Sequence, residues 1–411
     1  MIFSIVIPTR NRPGFLKSSL LSVLSQDFVD FEIIISDNSS PHFSNKVKSL
    51  ISSIVDHRIN YIRPTSELPM AEHWEWAAKH ATGEYIGILT DRMVFKKNAL
   101  TKLKILIDRY EPNLISYTRD SLRGDIAPYQ YIQFPYSNKL IKFKSKELLN
   151  VSANSFLPLL LPRGLNSICK ASLFNKLRDT YGYVFNSVSP DYYFCFHVLD
   201  YLDEIHYYDS TLLIQWGLNV SQGTNFQRGK IVKDVQDFLN FMENNSYSFN
   251  MAPIPFSNMK MLNIPINGIL HEYNLAASHQ RSGNLIPIDK ESFYKRALEK
   301  TVIMEYNYGI HLKSAKKALE LYRQDNKLKK LSVKNMRNKI IIKRIFIKIV
   351  NYLLSSIKWK TCNIKSKGKK PVFGIQSVEE ALEFDLKHPL KILSDYKPPL
   401  KMLLDKFVVL K

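Results

Sequence analysis

Short β-branched runs alternate, from the start of the chain, with stretches whose apolar residues recur three and four apart. "FSIVIPT", ended by Pro8 and Thr9, predicts a first buried strand, and Phe15, Leu16, Leu20 and Leu24 mark a helix between Pro13 and Gln26. "FEIIISDNSS" predicts a second strand and Val47, Leu50, Ile51 and Ile54 a second helix. "RINYIR", "AEHWEWAAKHA" and "GEYIGILTD" follow as strand, helix and strand. Such alternation, in units of about 30 residues, implies βαβ crossovers and a parallel sheet with helices on both faces. The predicted class is α/β. Open sheets of this kind bind ligands beyond the carboxyl ends of their strands. The polar residues at those ends are Thr9, Arg10 and Asn11, then Asp37 to Ser40, Arg63, and Asp91 with Arg92.

The pattern changes further along. In "VFNSVSPDYYFCFHVL", Ser189, Pro190 and Asp191 predict a helix start, with proline in the first turn and an acidic side chain favoured by the helix dipole. "EIHYYDSTLLIQWGLNVSQG" alternates and predicts an edge strand running into a glycine-containing loop, where Gln215, Trp216 and Ser221 suit a flexible cover. From Asn225 to Asn326 the periodicity is mostly helical, interrupted by the proline-rich connection "NMAPIPFSNMKMLNIPING". Residues 338–360, "NKIIIKRIFIKIVNYLLSSIKWK", form a wide apolar face flanked by cations. That segment suits either a helix lying in a membrane interface or a soluble helix packed on its neighbour. Ser377 before Glu380 predicts a capped helix near the end. These shifts divide the chain into a first domain over 1–225, a helical accessory region over 226–330 and a basic amphipathic tail over 331–411.

Charge narrows the partners. A formal net charge of +21 over 411 residues points to an anionic one: nucleic acid, a nucleotide-bearing small molecule or an anionic membrane surface. No acidic residue occurs between Asp325 and Glu379, so the tail carries much of the excess. The tail's cations alternate with aliphatic residues rather than stacking aromatics, and no nucleic-acid motif is present, so nucleic acid is not the expected partner. Three cysteines without a CxxC pair argue against a disulfide framework or a cysteine-based zinc site, and fit a reducing compartment. No GxGxxG follows the first strand and no GxxxxGKS occurs, which disfavours dinucleotide-binding and P-loop chemistry. What remains is a sheet edge with two aspartates and several arginines. Carboxylates accept from a base imide and from ribose hydroxyls, and arginines pair with phosphates. Asp37 and Asp91 serve equally well as turn or cap residues on this evidence alone.

"SIVIPTRNRPGFLKSSLLSVLSQDFVDFEIIISDNSS" resembles the opening of family 2 glycosyltransferases of the GT-A fold, and "HWEWAAKHATGEYIGILTD" resembles their later helix, strand and acidic motif. The resemblance implies a GT-A Rossmann-like, mostly parallel sheet followed by a helical C-terminal region. It implies that Pro8, Thr9 and Arg10 flank the nucleotide base, that Asp37 receives the base imide, that Asp91 approaches the ribose or diphosphate, and that Arg63 lies near the donor. "LLPRGLNSICKASLF" would return to the sheet on the acceptor side, with Arg163 and Asn166 holding phosphate or sugar or forming a simple surface turn. Asp191 would be the general base for an acceptor hydroxyl. Its alternative is a helix cap.

A divalent cation, Mg²⁺ or Mn²⁺, commonly sits between this family's acidic motif and the donor diphosphate. Here Arg92 and Met93 stand where further carboxylates are expected. Three readings stay open: Asp91 alone holds the metal, Arg92 replaces it, or the domain binds without chemistry. His197 and His206 are further candidate ligands. The expected activity is inverting transfer of a sugar from a nucleoside diphosphate donor to a glycan or lipid-linked acceptor in surface polysaccharide assembly. A catalytically impaired nucleotide-sugar-binding scaffold is the alternative, and a basic nucleic-acid-binding protein the less favoured one. The expected location is cytoplasmic, either free or peripheral at the inner face of a membrane.

Overall fold

The computed structural model describes residues 1–217, 265–297, 370–390 and 407–410, together with Ser221, Glu299, Asn338 and Ile342. The chain divides into two units, the first comprising Met1–Leu148, Pro158–Gly217 and Trp359–Lys411, the second Leu149–Leu157 and Leu218–Lys358.

The βαβ reading holds for the start of the first unit. Strands β1 (Phe3–Thr9), β2 (Phe31–Asp37), β3 (Ile59–Ile62) and β4 (Tyr85–Ile88) alternate with helices α1 (Pro13–Leu24), α2 (Pro41–Ser52) and α3 (Met70–Ala78). All four strands are parallel, in the order β3-β2-β1-β4. Every residue of β1 and β2 is buried, as required of strands covered on both faces. Phe3, Ile5 and Ile7 share one core with Leu16 and Leu20 of α1 and Val47 of α2. On the opposite face α3 packs against β1. Gly83 lies so close to β1 that a Cβ would come within 2.7 Å of the Ser4 amide nitrogen, so the turn into β4 requires glycine.

The sheet then continues with a different character. After β5 (Met93–Phe95) and α4 (Ala99–Tyr110) come β6 (Leu114–Arg123), β7 (Tyr129–Gln133), β8 (Leu140–Lys144), α5 (Ser145–Ala153), β9 (Ser167–Lys170), α6 (Ala171–Tyr181), α7 (Pro190–Tyr201) and β10 (Glu204–Gln215). Strand β9 joins β4 and β6 antiparallel, and β10 lies parallel to β6. "SIC" does return to the sheet, as β9. The strand expected at the edge is not at the edge. β10 lies inside the sheet, bonded to β6, β8 and β5, and eight consecutive residues from Tyr207 to Ile214 are buried. Its polar Asp209, Ser210 and Thr211 gave the appearance of alternation while being buried.

The C-terminal residues rejoin this sheet. β11 (Lys370–Ile375) pairs with β7, and β12 (Phe407–Leu410) pairs with β8. Helix α9 (Val378–Lys387), in the same stretch, starts at the predicted cap, where Ser377 Oγ accepts from the Glu380 amide. Val378, Ala381 and Phe384 share a core with Val94, Leu122, Tyr131 and Ile214. A boundary at residue 331 therefore cuts off residues that belong with the first unit, because long-range strand pairing is invisible to local charge patterning. In the second unit α8 (Pro265–Ser278) begins with the last proline of the expected connection, a favoured position for proline. Its Tyr273 donates to the Ile286 carbonyl at 2.8 Å. The other helices expected between 226 and 330 lie largely outside the described residues, as does 338–360 except for Asn338 and Ile342, both helical. Among the described residues no helix is long and apolar enough to cross a membrane.

Candidate active site

The strand register brings the carboxyl ends of β1, β2 and β4 together. Thr9 pairs with Asp37, and Val6 with Ile88, so Asp37 and Asp91 flank the end of β1. Asp37 is fully buried. Its carboxylate accepts from the Ser39 amide at 3.0 Å and the Tyr61 hydroxyl at 2.9 Å, with Arg63 Nη1 at 3.3 Å. Burial alone would raise its pKa, but hydrogen bonds from Ser39, Ser44 and Tyr61 outweigh burial and hold it below the usual carboxylate range. Arg63 also donates to the Ser39 carbonyl at 2.6 Å. Asn11, at a φ of 58°, receives the Ser40 amide at 2.9 Å and locks the loop after β1 to the loop after β2. Pro8 lies within β1 opposite Ser36. Arg10 pairs with Glu67 at 2.8 Å.

Asp91 lies in the turn between β4 and β5. Thr9 donates to one of its oxygens at 3.0 Å, and Arg12 approaches the other at 3.5 Å. Arg92 donates to the Trp216 carbonyl at 3.3 Å, and the Trp216 amide returns a bond to the Arg92 carbonyl at 3.0 Å. Met93 is fully buried in the main core, and its backbone pairs with Gln215. The residue two after Asp91 thus points into apolar packing, where a carboxylate would be stranded.

The rest of the site comes from β6, the loop before β9, and α7. Arg119, on β6, donates from Nε to Gln215 Oε1 at 2.6 Å. Asn166 is buried and donates to the Tyr117 carbonyl at 2.8 Å, while its own oxygen accepts from Arg163 Nε at 3.2 Å. Arg163 Nη1 in turn reaches Asp191 at 3.7 Å, and its guanidinium lies over the Tyr192 ring at 5.2 Å. Gly164 allows this approach: a Cβ there would meet Phe185 at 2.8 Å. Asp191 is the first-turn acid of α7, as expected, with Pro190 at the helix start. Burial raises its pKa, and the charges of Arg163 and Arg119 only partly offset that.

Trp216, expected in a cover, is tied to its neighbours. Gln215 ends β10, Trp216 is bonded to Arg92, and its ring lies 4.5 Å from that of Phe15. Gly217, at a φ of 61°, turns the chain against the same Phe15 ring. Ser221 falls in the second unit, where it is buried. Arg12, Tyr61 and Arg119 were not among the sequence candidates. Only Arg119 left a signal, as a charge beside Asp120 in the middle of the strand "LISYTRDSLR".

The side chains around Asp91 do not match a divalent-cation site. Hard cations take several oxygen ligands, whereas Asp91 has Thr9 and Arg12 on its two oxygens and Arg92 beside it. Among the described residues no three His, Cys, Asp or Glu side chains could together hold a metal. His197 bonds through Nδ1 to the Tyr193 carbonyl at 2.8 Å and stacks on the Tyr193 ring. His206 sits on β10, paired in register with Lys142 and Ile115.

Comparison with known proteins finds similarity in the first part of the chain. Residues 4–159 match the sequence model of Glycosyl transferase family 2. This stretch is similar to family 2 glycosyltransferases. An uncharacterized glycosyltransferase of Rickettsia felis is 29% identical over 134 residues, which are 33% of this chain and 21% of that protein. A GalNAc(5)-diNAcBac-PP-undecaprenol β-1,3-glucosyltransferase of Campylobacter jejuni is 31% identical over 103 residues, 24% of this chain and 32% of that protein. The matches thus span about a fifth to a third of these relatives. The crystal structure of S. aureus TarS 1-349 aligns with 89% of this chain and 95% of its own at a TM-score of 0.42 and 15% identity. Its complex with UDP-GlcNAc aligns with 91% of this chain and all of its own at a TM-score of 0.43 and 14% identity. Arg163, Asn166, Asp191 and Trp216 lie past the family match and join the domain through β9, β6 and β10.

Proposed function

We propose that the protein transfers a sugar from a nucleoside diphosphate donor to a hydroxyl of a glycan or lipid-linked acceptor, by a single inverting displacement. The observation that carries this reading is the placement of two structured carboxylates, Asp37 and Asp91, at adjoining strand ends, with a third, Asp191, opening a helix beside Arg163. Asp37 offers an ionised acceptor to a base imide, and Asp91 an acceptor to a ribose hydroxyl. Asp191 takes the proton from the acceptor hydroxyl as that oxygen bonds to the anomeric carbon. The bond to the nucleoside diphosphate breaks in the same step, with inversion. A raised carboxyl pKa suits that base role. The Campylobacter relative, named for an undecaprenol-linked substrate, supports a lipid-linked acceptor and a part in polysaccharide assembly.

The same reading puts the protein at the cytoplasmic face of a membrane. The +21 charge and the cations of residues 338–360 support it. Co-sedimentation with anionic but not zwitterionic vesicles is expected, and no retention on either would refute that location.

A screen of nucleotide sugars for binding and slow hydrolysis tests the activity. One donor should turn over. Asp191→Asn should reduce turnover by about a hundredfold or more with donor binding retained, and Asp91→Asn should weaken binding itself. A donor that binds but is never consumed, with any acceptor, would make the protein a nucleotide-sugar-binding scaffold instead.

A further inference from the structure

Four arginines line the carboxyl-end rim of the sheet: Arg12 after β1, Arg92 after β4, Arg119 on β6 and Arg163 before β9. Arg92 is within electrostatic reach of Asp91 and Arg12, and Arg119 of Arg163, Asp191 and Arg92, so the four form one connected group. Two carboxylates, Asp91 and Asp191, face them. Asp37 is engaged separately by Arg63.

Two of these arginines, Arg92 and Arg119, are positioned by partners that do not cancel their charge. Arg92 is held by a neutral carbonyl, that of Trp216, and Arg119 by a neutral amide, that of Gln215. Arg163 Nη2 is buried and has no hydrogen-bond partner among the described residues, and the same is true of Thr90 Oγ1 and Trp216 Nε1 beside Arg92. Burial, with repulsion from neighbouring guanidinium groups, lowers the pKa of Arg92 to about 10 and that of Arg119 to about 9. Cationic groups with unused donors at a strand-end rim are arranged for an anion that arrives from outside. A nucleotide-sugar diphosphate is a dianion, and four guanidiniums against two carboxylates leave the opposite charge.

We infer that this site holds the donor diphosphate through arginine, with Arg92 and Arg119 central, and needs no divalent cation on Asp91. The inference rests on the glycosyl-transfer reading above. As the bond to the anomeric carbon breaks, the electron pair passes to the leaving diphosphate, and guanidinium groups stabilise the charge that develops there. Asp91 acts on its neighbours instead, orienting Arg12 and fixing Thr9 at the end of β1.

Calorimetric binding of UDP, GDP, ADP and TDP to the full-length protein tests this, first in EDTA and then with added Mg²⁺ or Mn²⁺. At least one diphosphate should bind in EDTA, its affinity changing less than about threefold on adding metal, and the matching monophosphate should bind at least tenfold more weakly. Arg92→Met and Arg119→Met should each weaken the diphosphate about tenfold or more and the monophosphate little, with melting temperature confirming that each variant is folded. Diphosphate binding that appears only with metal, together with Mn²⁺ binding lost in Asp91→Asn, overturns the inference and leaves the glycosyl-transfer reading intact. No diphosphate binding under either condition overturns both.

Discussion

Burial and two guanidinium groups pull the ionisation of Asp191 in opposite directions, and burial wins. A general base works only when deprotonated, so kcat/KM should fall as pH drops through this raised value, above the ordinary carboxylate range. Replacing Arg163 with Met removes a charge that favours the carboxylate, so the acid limb should move to higher pH, while Arg163→Lys should hold it nearer its original place. A limb that stays put in Arg163→Met would separate Arg163 from the base. Individual residues differ in how legible they were. Asp37, Asp91 and Asp191 stood at strand or helix ends and could be found from local pattern. Arg12 and Tyr61 could not, since their role depends on which carboxylate the register of neighbouring strands sets beside them.

Elements meet in this fold through buried polar contacts that carry measurable stability. His73 of α3 bonds through Nε2 to Ser36 of β2 at 2.7 Å, next to Asp37. Burial lowers its pKa from 6.5 to about 4. The unfolded chain therefore binds a proton between those values that the folded chain refuses, so this contribution is complete above pH 6.5 and is lost as pH falls toward about 4. The loss should be on the order of 2–3 kcal/mol. Urea unfolding at neutral and acid pH should show that loss, and His73→Gln should flatten it. A second joint ties α9 to the sheet: Lys96, at the end of β5, bonds to Asp120 of β6 and to Asp385 of α9, and Tyr131 of β7 donates to both carboxylates. Gln133 of β7 also donates to Asp385. Asp385→Ala leaves Lys96 with Asp120 but strips three donors of a partner, which should cost about 2–3 kcal/mol by denaturant unfolding. Helix boundaries such as Ser377 were readable because capping is local. The polar residues of β10 misled because interior strands can bury polar groups that find partners across the sheet, as Asp209 does with Ser137.

At the scale of the whole molecule, the first unit is assembled from three separated lengths of chain. The described residues of 359–411 supply two strands and a helix to it, so deleting 359–411 should expose the apolar surface of Val94, Leu122, Tyr131 and Ile214. The truncated protein is expected to lose its cooperative thermal transition or to aggregate. A sharp transition at an unchanged temperature would mean these residues are dispensable. A test of membrane attachment should accordingly replace the cations of 338–360 and leave the C-terminal residues in place.

By itself the sequence determined the βαβ half of the sheet, the family resemblance and the three aspartates, because β-branched runs, helical periodicity and strand-end polar residues are all set within a few positions of one another. The tertiary structure decided the rest. It buried Met93 in the core and turned Arg92 toward Trp216, and it drew Arg12, Arg119 and Arg163 to one rim from separate parts of the chain. Charge gathered in this way depends on strand order and register, which link residues far apart in the chain.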